Sequence, residues 1–197
     1  MSKHVTSNWI SENMINKIGT YTALTSFLIG SLLLLIFYFS NSSDIPLLGY
    51  FFIIIAGLVN LGIFIVLMVK ILTEINNRKK YIRTSAIMLL NIPVVVIYFY
   101  FVIVLMNTMR ITFINETGNL ITDLKIVGGE PKTIEKLDIG EKQTKWIEIK
   151  GDSSLSIEYK INGELRTELI YGYITSFSGA KVKYRIGKET KPIDETY

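Results

Sequence analysis

The chain has 197 residues, 49% of them hydrophobic and none of them cysteine, so it has room for one or two domains and excludes disulfides, thiolate metal ligands and a cysteine nucleophile. Its formal net charge of +4 arises before residue 107, where seven bases (Lys3, Lys17, Lys70, Arg78, Lys79, Lys80, Arg83) outnumber three acids (Glu12, Asp44, Glu74), and the remaining bases and acids balance. A basic excess beside long apolar runs serves membrane orientation, so no direct nucleic-acid partner is expected.

Residues 1–19 read as an N-terminal cytoplasmic segment. Trp9, Ile10, Met14 and Ile18 fall roughly on one helical face, which fits a short helix lying in the membrane interface; a solvated tail fits equally well. His4 is the only histidine and sits far from any acid cluster. A signal peptide is disfavoured, because the following apolar run is about 20 residues long and Phe37-Tyr38-Phe39-Ser40 lacks a small-x-small cleavage site.

Residues 20–107 read as a three-helix transmembrane domain. The expected spans are Tyr21 to Phe39, Leu47 to Val69 and Ala86 to Met106; the last has 21 residues without a charge, and at about 1.5 Å per residue it crosses a ~30 Å hydrocarbon core. Gly19/Ala23 and Thr22/Ser26/Gly30 form a small-residue stripe that lets another helix approach closely. Asn60 near the middle of the second span, and Asn91 two residues before Pro93, are amides at bilayer depth that need a partner or a wet cavity. Packing is the favoured role for Asn60, Asn91, Ser26 and Gly30, with the lining of an oligomeric pore as the alternative. The turn Asn41 to Pro46 contains no base, whereas Lys70 to Arg83 holds five bases and one acid and reads as a cytoplasmic loop. The N-terminus then lies inside an inner, cytoplasmic membrane and everything after the third span lies outside. Arg78, Lys79, Lys80 and Arg83 are candidates for contact with anionic lipid headgroups or for docking a cytoplasmic protein.

From Arg110 onward apolar residues alternate with polar ones, the pattern of half-buried strands. Strands are expected at Arg110 to Asn115, Leu120 to Val127, Thr133 to Leu137, Thr144 to Lys150, Ser154 to Ile161, Leu165 to Tyr171 and Lys181 to Ile186. Asn162-Gly163 supplies a two-residue hairpin turn, with Leu155, Ile157, Tyr159 and Ile161 inward before it and Leu165, Thr167, Leu169 and Tyr171 inward after it. Glu148, Glu158, Glu164 and Glu168 are expected on outward faces. Seven short strands within 108–190 point to a small immunoglobulin-like sandwich, followed by a loose tail at 191–197.

The turns Asn115-Glu116-Thr117-Gly118 and Gly140-Glu141 resemble those of the small sandwich domains that many bacterial envelope proteins carry outside the membrane, which implies that fold for residues 110–187. Three spans followed by such a domain are similar, in architecture, to the membrane component of the bacterial Kiwa anti-phage system. That resemblance implies an oligomeric membrane sensor with a partner on the cytoplasmic side; the family is usually described with four spans, and three are found here.

No cofactor or metal is expected, and no enzyme: one histidine and no cysteine leave no common nucleophile-base pair, and Gly128-Gly129 precedes Glu-Pro instead of a phosphate-binding helix. The expected function is a non-enzymatic membrane sensor or assembly subunit, a homo-oligomer in contact with membrane lipids. Two alternatives stay open: an oligomeric pore or ion-leak effector, and a receptor for an intracellular nucleotide signal if the β-domain is cytosolic.

Overall fold

The computed structural model describes residues 2–40, 42, 44–188 and 192–193, with side chains from Met14 onward. The chain divides into two units, Met1–Val102 and Ile103–Tyr197.

The first unit is built from α1 (Ser2–Ser40), α2 (Asp44–Thr73), a single 3-10 turn (Ile75–Asn77), α3 (Arg78–Leu89) and the larger part of α4 (Asn91–Met106). Three helical stretches, Met14–Ser40, Asp44–Thr73 and Ile75–Met106, are long and apolar enough to cross a membrane. Their ends depart from the expected ones. The N-terminal segment is no separate helix but the start of α1, since no proline or turn sequence interrupts the backbone before Ser40. The side chains of His4, Trp9 and Ile10 lie outside the described ones.

The expected basic loop is a correction of the same kind. Helix α2 continues through Lys70 to Thr73 and α3 begins at Arg78, so Arg78 to Arg83 are helical. Lys and Arg are good helix formers, and Tyr81, fully buried, anchors the first turns of α3. The third stretch in turn is two helices instead of one. Pro93 has no N–H to give to the Leu89 carbonyl and its ring crowds that carbonyl, so the helix ends at Leu89 and restarts at Asn91. Ala23, Leu67, Ile71, Tyr81 and Met88 form a small buried cluster where α1, α2 and α3 meet. Most other apolar side chains of the unit point outward, Leu32, Ile55, Leu58 and Val96 among them.

The second unit has seven strands: β1 (Thr108–Asn115), β2 (Ile121–Val127), β3 (Lys132–Leu137), β4 (Lys142–Glu148), β5 (Ser153–Ile161), β6 (Glu164–Ile174) and β7 (Lys181–Ile186). They form a three-stranded sheet, β4-β1-β7, and a four-stranded sheet, β3-β2-β5-β6, with β1 parallel to β7 and the other pairs antiparallel. Met109, Ile111, Phe113, Ile147 and Tyr184 from one sheet share a core with Ile121, Leu124, Ile126, Leu155, Ile157 and Ile170 from the other. On the far side of β1, Arg110 is buried with its guanidinium 5.5 Å from the centre of the Trp146 ring. Turn chemistry holds the strand ends. Buried Asn115 accepts from the Thr117 N–H (3.1 Å) and hydroxyl (2.7 Å) and donates to the carbonyls of Asn119 (2.8 Å) and Leu137 (2.9 Å). Of the expected tail only residues 192–193 are described, and Ile193 packs against the core.

The β5–β6 hairpin turns at Asn162 (φ 51°) and Gly163 (φ 85°), as a two-residue turn with two left-handed residues requires. Its inward face on β6 is not the expected one. Ile161 lies opposite Glu164, Tyr159 opposite Arg166 and Ile157 opposite Glu168, so inward residues of β5 face Glu164, Arg166 and Glu168. Leu165 and Leu169 therefore face outward, 66% and 43% exposed. Directly opposed residues share a face, and a two-residue turn fixes which residues are opposed. An irregularity at Leu155/Ser156 leaves Ile170 as the extra residue and returns it to the core. Glu168, expected on the surface, is half-buried between the sheets, where it accepts from the hydroxyls of Tyr159 (2.5 Å) and Tyr184 (2.9 Å) and from the Gly187 N–H (3.2 Å).

Candidate functional site

The four amide and small-residue candidates converge on α1. An added Cβ at Gly19 would stand 2.8 Å from Thr84 Cγ2 and 3.3 Å from Leu67 Cδ1, and one at Gly30 would stand 3.3 Å from Tyr98 Cε2. Only a hydrogen fits at Gly19, so α3 approaches α1 there, as Tyr98 of α4 does at Gly30. Asn60 on α2 donates through Nδ2 to Ser26 Oγ (3.0 Å) and to the Ala56 carbonyl (2.7 Å). Asn91 on α4 donates to the Ala23 carbonyl (2.9 Å). Ser26, Gly30, Asn60 and Asn91 thus join the helices of one chain. Asn60 Oδ1 is buried without a partner among the described residues. A groove of about 310 Å³ passes along this contact between α1 and α2, lined by Thr22, Thr25, Ser26, Phe52, Ile55 and Val59.

Arg78, Lys79, Lys80 and Arg83 gather at the other site, the start of α3. Residues Tyr81, Thr84, Ser85 and Met88, at helical spacing, turn inward, and this places the four bases outward, all exposed. Exposed Leu72, Ile75 and Ile82 stand among them. Beneath lies a carboxylate that the charge pattern alone did not single out: Glu74 accepts from Lys70 Nζ (2.5 Å) and from the buried Tyr81 hydroxyl (2.6 Å). The Lys70–Glu74 spacing of four residues was the available signal. Glu74 is thereby committed to the turn, and among the described residues no carboxylate pairs with Arg78, Lys79 or Arg83. Thr84 Oγ1 donates to Asn16 Oδ1 (2.9 Å), fixing α3 to α1.

Three bases in the first turn of α3 oppose the helix dipole, each at a cost of about 0.3–1 kcal/mol, so helix stability does not account for their position. No family model and no curated protein matches the chain. Among solved structures, an NMR structure of a protein from Eubacterium rectale is similar at 18% identity, covering 40% of this chain and 74% of that one with a TM-score of 0.29. What the site can do is therefore read from its own chemistry. Exposed cations beside exposed aliphatic side chains at the end of apolar helices suit a layer where phosphate headgroups meet acyl chains, each base near an anionic surface contributing about 1 kcal/mol. Among the described residues no cluster of His, Asp and Glu has the makings of a metal site.

Proposed function

We propose that this is a non-enzymatic integral membrane protein whose three helical stretches cross the cytoplasmic membrane and whose β-unit is an extracytoplasmic, immunoglobulin-like domain that binds a partner and passes that event to the helices. The apolar outward faces of α1, α2 and α4 support insertion, because such surface is stable in lipid and a liability in water. The basic start of α3 supports a cytoplasmic position for that end. Two facing sheets with parallel β1–β7 pairing support the immunoglobulin-like reading. The architectural resemblance to Kiwa extends the proposal to a sensor in anti-phage defence.

The observation that carries the coupling is the junction. Only Asn107 separates α4 from β1, and it is held on both sides: its carbonyl accepts from the Ile149 N–H (2.9 Å) and its Oδ1 from the Phe177 N–H (3.2 Å). The Gly179 N–H donates to the Met106 carbonyl (2.7 Å), and the last helical turn, residues 103–106, belongs to the same unit as the strands, with no Gly/Ser linker before β1. Inserting six Gly/Ser residues after Met106 is expected to leave expression and the β-core intact while lowering amide-exchange protection at 103–106 and abolishing the cellular function, read as phage plating efficiency. Unchanged exchange at the helix end, or unchanged plating where the wild type protects, would remove the coupling argument.

A further inference from the structure

Strand β6 is an edge of the four-stranded sheet and pairs only with β5 among the described residues. It is 11 residues long and contains no Lys and no Pro. The other three edges carry lysines that discourage edge pairing: Lys132 and Lys136 on β3, Lys142 and Lys145 on β4, Lys181 and Lys183 on β7. The stretch Leu165-Arg166-Thr167-Glu168-Leu169 is complementary to itself when reversed. Turned antiparallel about Thr167, it sets each leucine against a leucine and each arginine against a glutamate.

The backbone agrees with that centre. In a two-residue hairpin the closing pair, Ile161 and Glu164, exchanges both hydrogen bonds, and bonded pairs then alternate. Leu165, Thr167 and Leu169 consequently turn their N–H and C=O groups to the free edge, the same three residues that a centre at Thr167 sets opposite one another. On the outer face, the exposed Leu165 and Leu169 gain apolar partners. On the inner face, Arg166 has Glu164 at 4.0 Å as its one ion-pair partner among the described residues, and a two-fold pair sets it opposite Glu168 of the second copy.

We propose that β6 is the docking surface for a second copy of this chain, which adds its own β6 antiparallel about Thr167 and makes one continuous eight-stranded sheet. The surface stands on the β-unit alone, so failure of this pairing leaves the proposed coupling through the junction untouched.

The absence of cysteine allows a register-specific test on the full chain in native membranes and in mild detergent. In the pair, the two Thr167 Cα atoms lie about 5.5 Å apart, within disulfide range. Under mild oxidation, Thr167→Cys is expected to give a disulfide-linked dimer. Leu165→Cys and Leu169→Cys alone would stand about 13 Å from their own copies; they should crosslink only when coexpressed with each other. Thr133→Cys on the β3 edge should stay monomeric. Thr167→Lys places two lysines face to face and is expected to weaken the dimer at least tenfold by light scattering, with the far-ultraviolet dichroism of wild type. A monomeric wild type, crosslinking at Thr167 no greater than at Thr133, or self-crosslinking of Leu165→Cys equal to that of Thr167→Cys would each overturn the proposal.

Discussion

Glu168 joins the sheets through two phenols and a backbone amide. Burial, and then the hydrogen bond to Glu168, raise the Tyr159 hydroxyl well above the ordinary tyrosine range. The unfolded chain ionises this phenol near pH 10 whereas the folded chain keeps it protonated, so its contribution is complete below about pH 10 and is lost as pH rises beyond it. Tyr159→Phe is expected to be less stable than wild type at neutral pH and to show a shallower decline above pH ~10, measured as the urea midpoint. Equal slopes would mean that Tyr159 does not carry the effect. Glu168→Gln removes a charged acceptor from three donors and is expected to cost about 1.5–3 kcal/mol of unfolding free energy. On the acid side, hydrogen bonds from Lys160 to Asp123, from Lys132 to Glu130, from the Asp138 N–H to Glu141 and from Thr175 to Asp152 hold those carboxyls below their usual values. Their contribution is present above the usual carboxylate range near pH 4 and is lost as pH falls through the lowered values; Asp123 and Asp152 are exposed and Glu130 and Glu141 partly so, and solvent screening keeps the effect small.

At the scale of elements, α1 is the piece the other helices of its unit pack on, and its small residues decide how closely. Gly30→Leu would drive a branched side chain into the Tyr98 ring and is expected to lower the midpoint of unfolding in mixed detergent micelles. Asn60→Leu removes the hydrogen bond to Ser26, a contact of about 0.6–2 kcal/mol, and should leave liposomes holding that variant or wild type equally tight. Leakage by wild type that Asn60→Leu abolishes would favour the pore reading instead. Much of this was legible in the sequence. The stripe at Gly19, Ala23, Ser26 and Gly30 declares a packing face by spacing alone, and each of the seven strands shows its alternation or its turn residues. The inward face of β6 was not legible from alternation, because Leu165 and Leu169 keep period two on the outer face; the turn at Asn162-Gly163 settles it by fixing which residues are opposed. The burial of Glu168 follows from the same register. Glu74 escaped for a different reason: Lys70 stands one helical turn before it, as the spacing allows, but Tyr81 reaches it only because the expected loop is a short 3-10 turn between helices.

At the scale of the whole molecule, the change from unbroken apolarity to alternation lies near residue 107, whereas the two units divide between Val102 and Ile103, and the break at Leu90, within a run expected to be one span, follows from Pro93. Orientation is a different matter, since it rests on charge and not on packing. The proposed arrangement has the start of α3 inside and the β-unit outside. Reversing it would place the exposed bases Arg78, Lys79 and Arg83 on the outer side and bring the β-unit into the cytosol, where an intracellular nucleotide signal becomes a candidate ligand. Single cysteines at Ser42, Ser153 and Asn77, in a chain with none of its own, separate the two arrangements in intact cells. An impermeant maleimide is expected to label Ser42→Cys and Ser153→Cys and to spare Asn77→Cys until the membrane is permeabilised. Labelling of Asn77→Cys alone would invert the topology and with it the compartment of the partner, while leaving the self-pairing of β6, which needs only two β-units on the same side, as it stands.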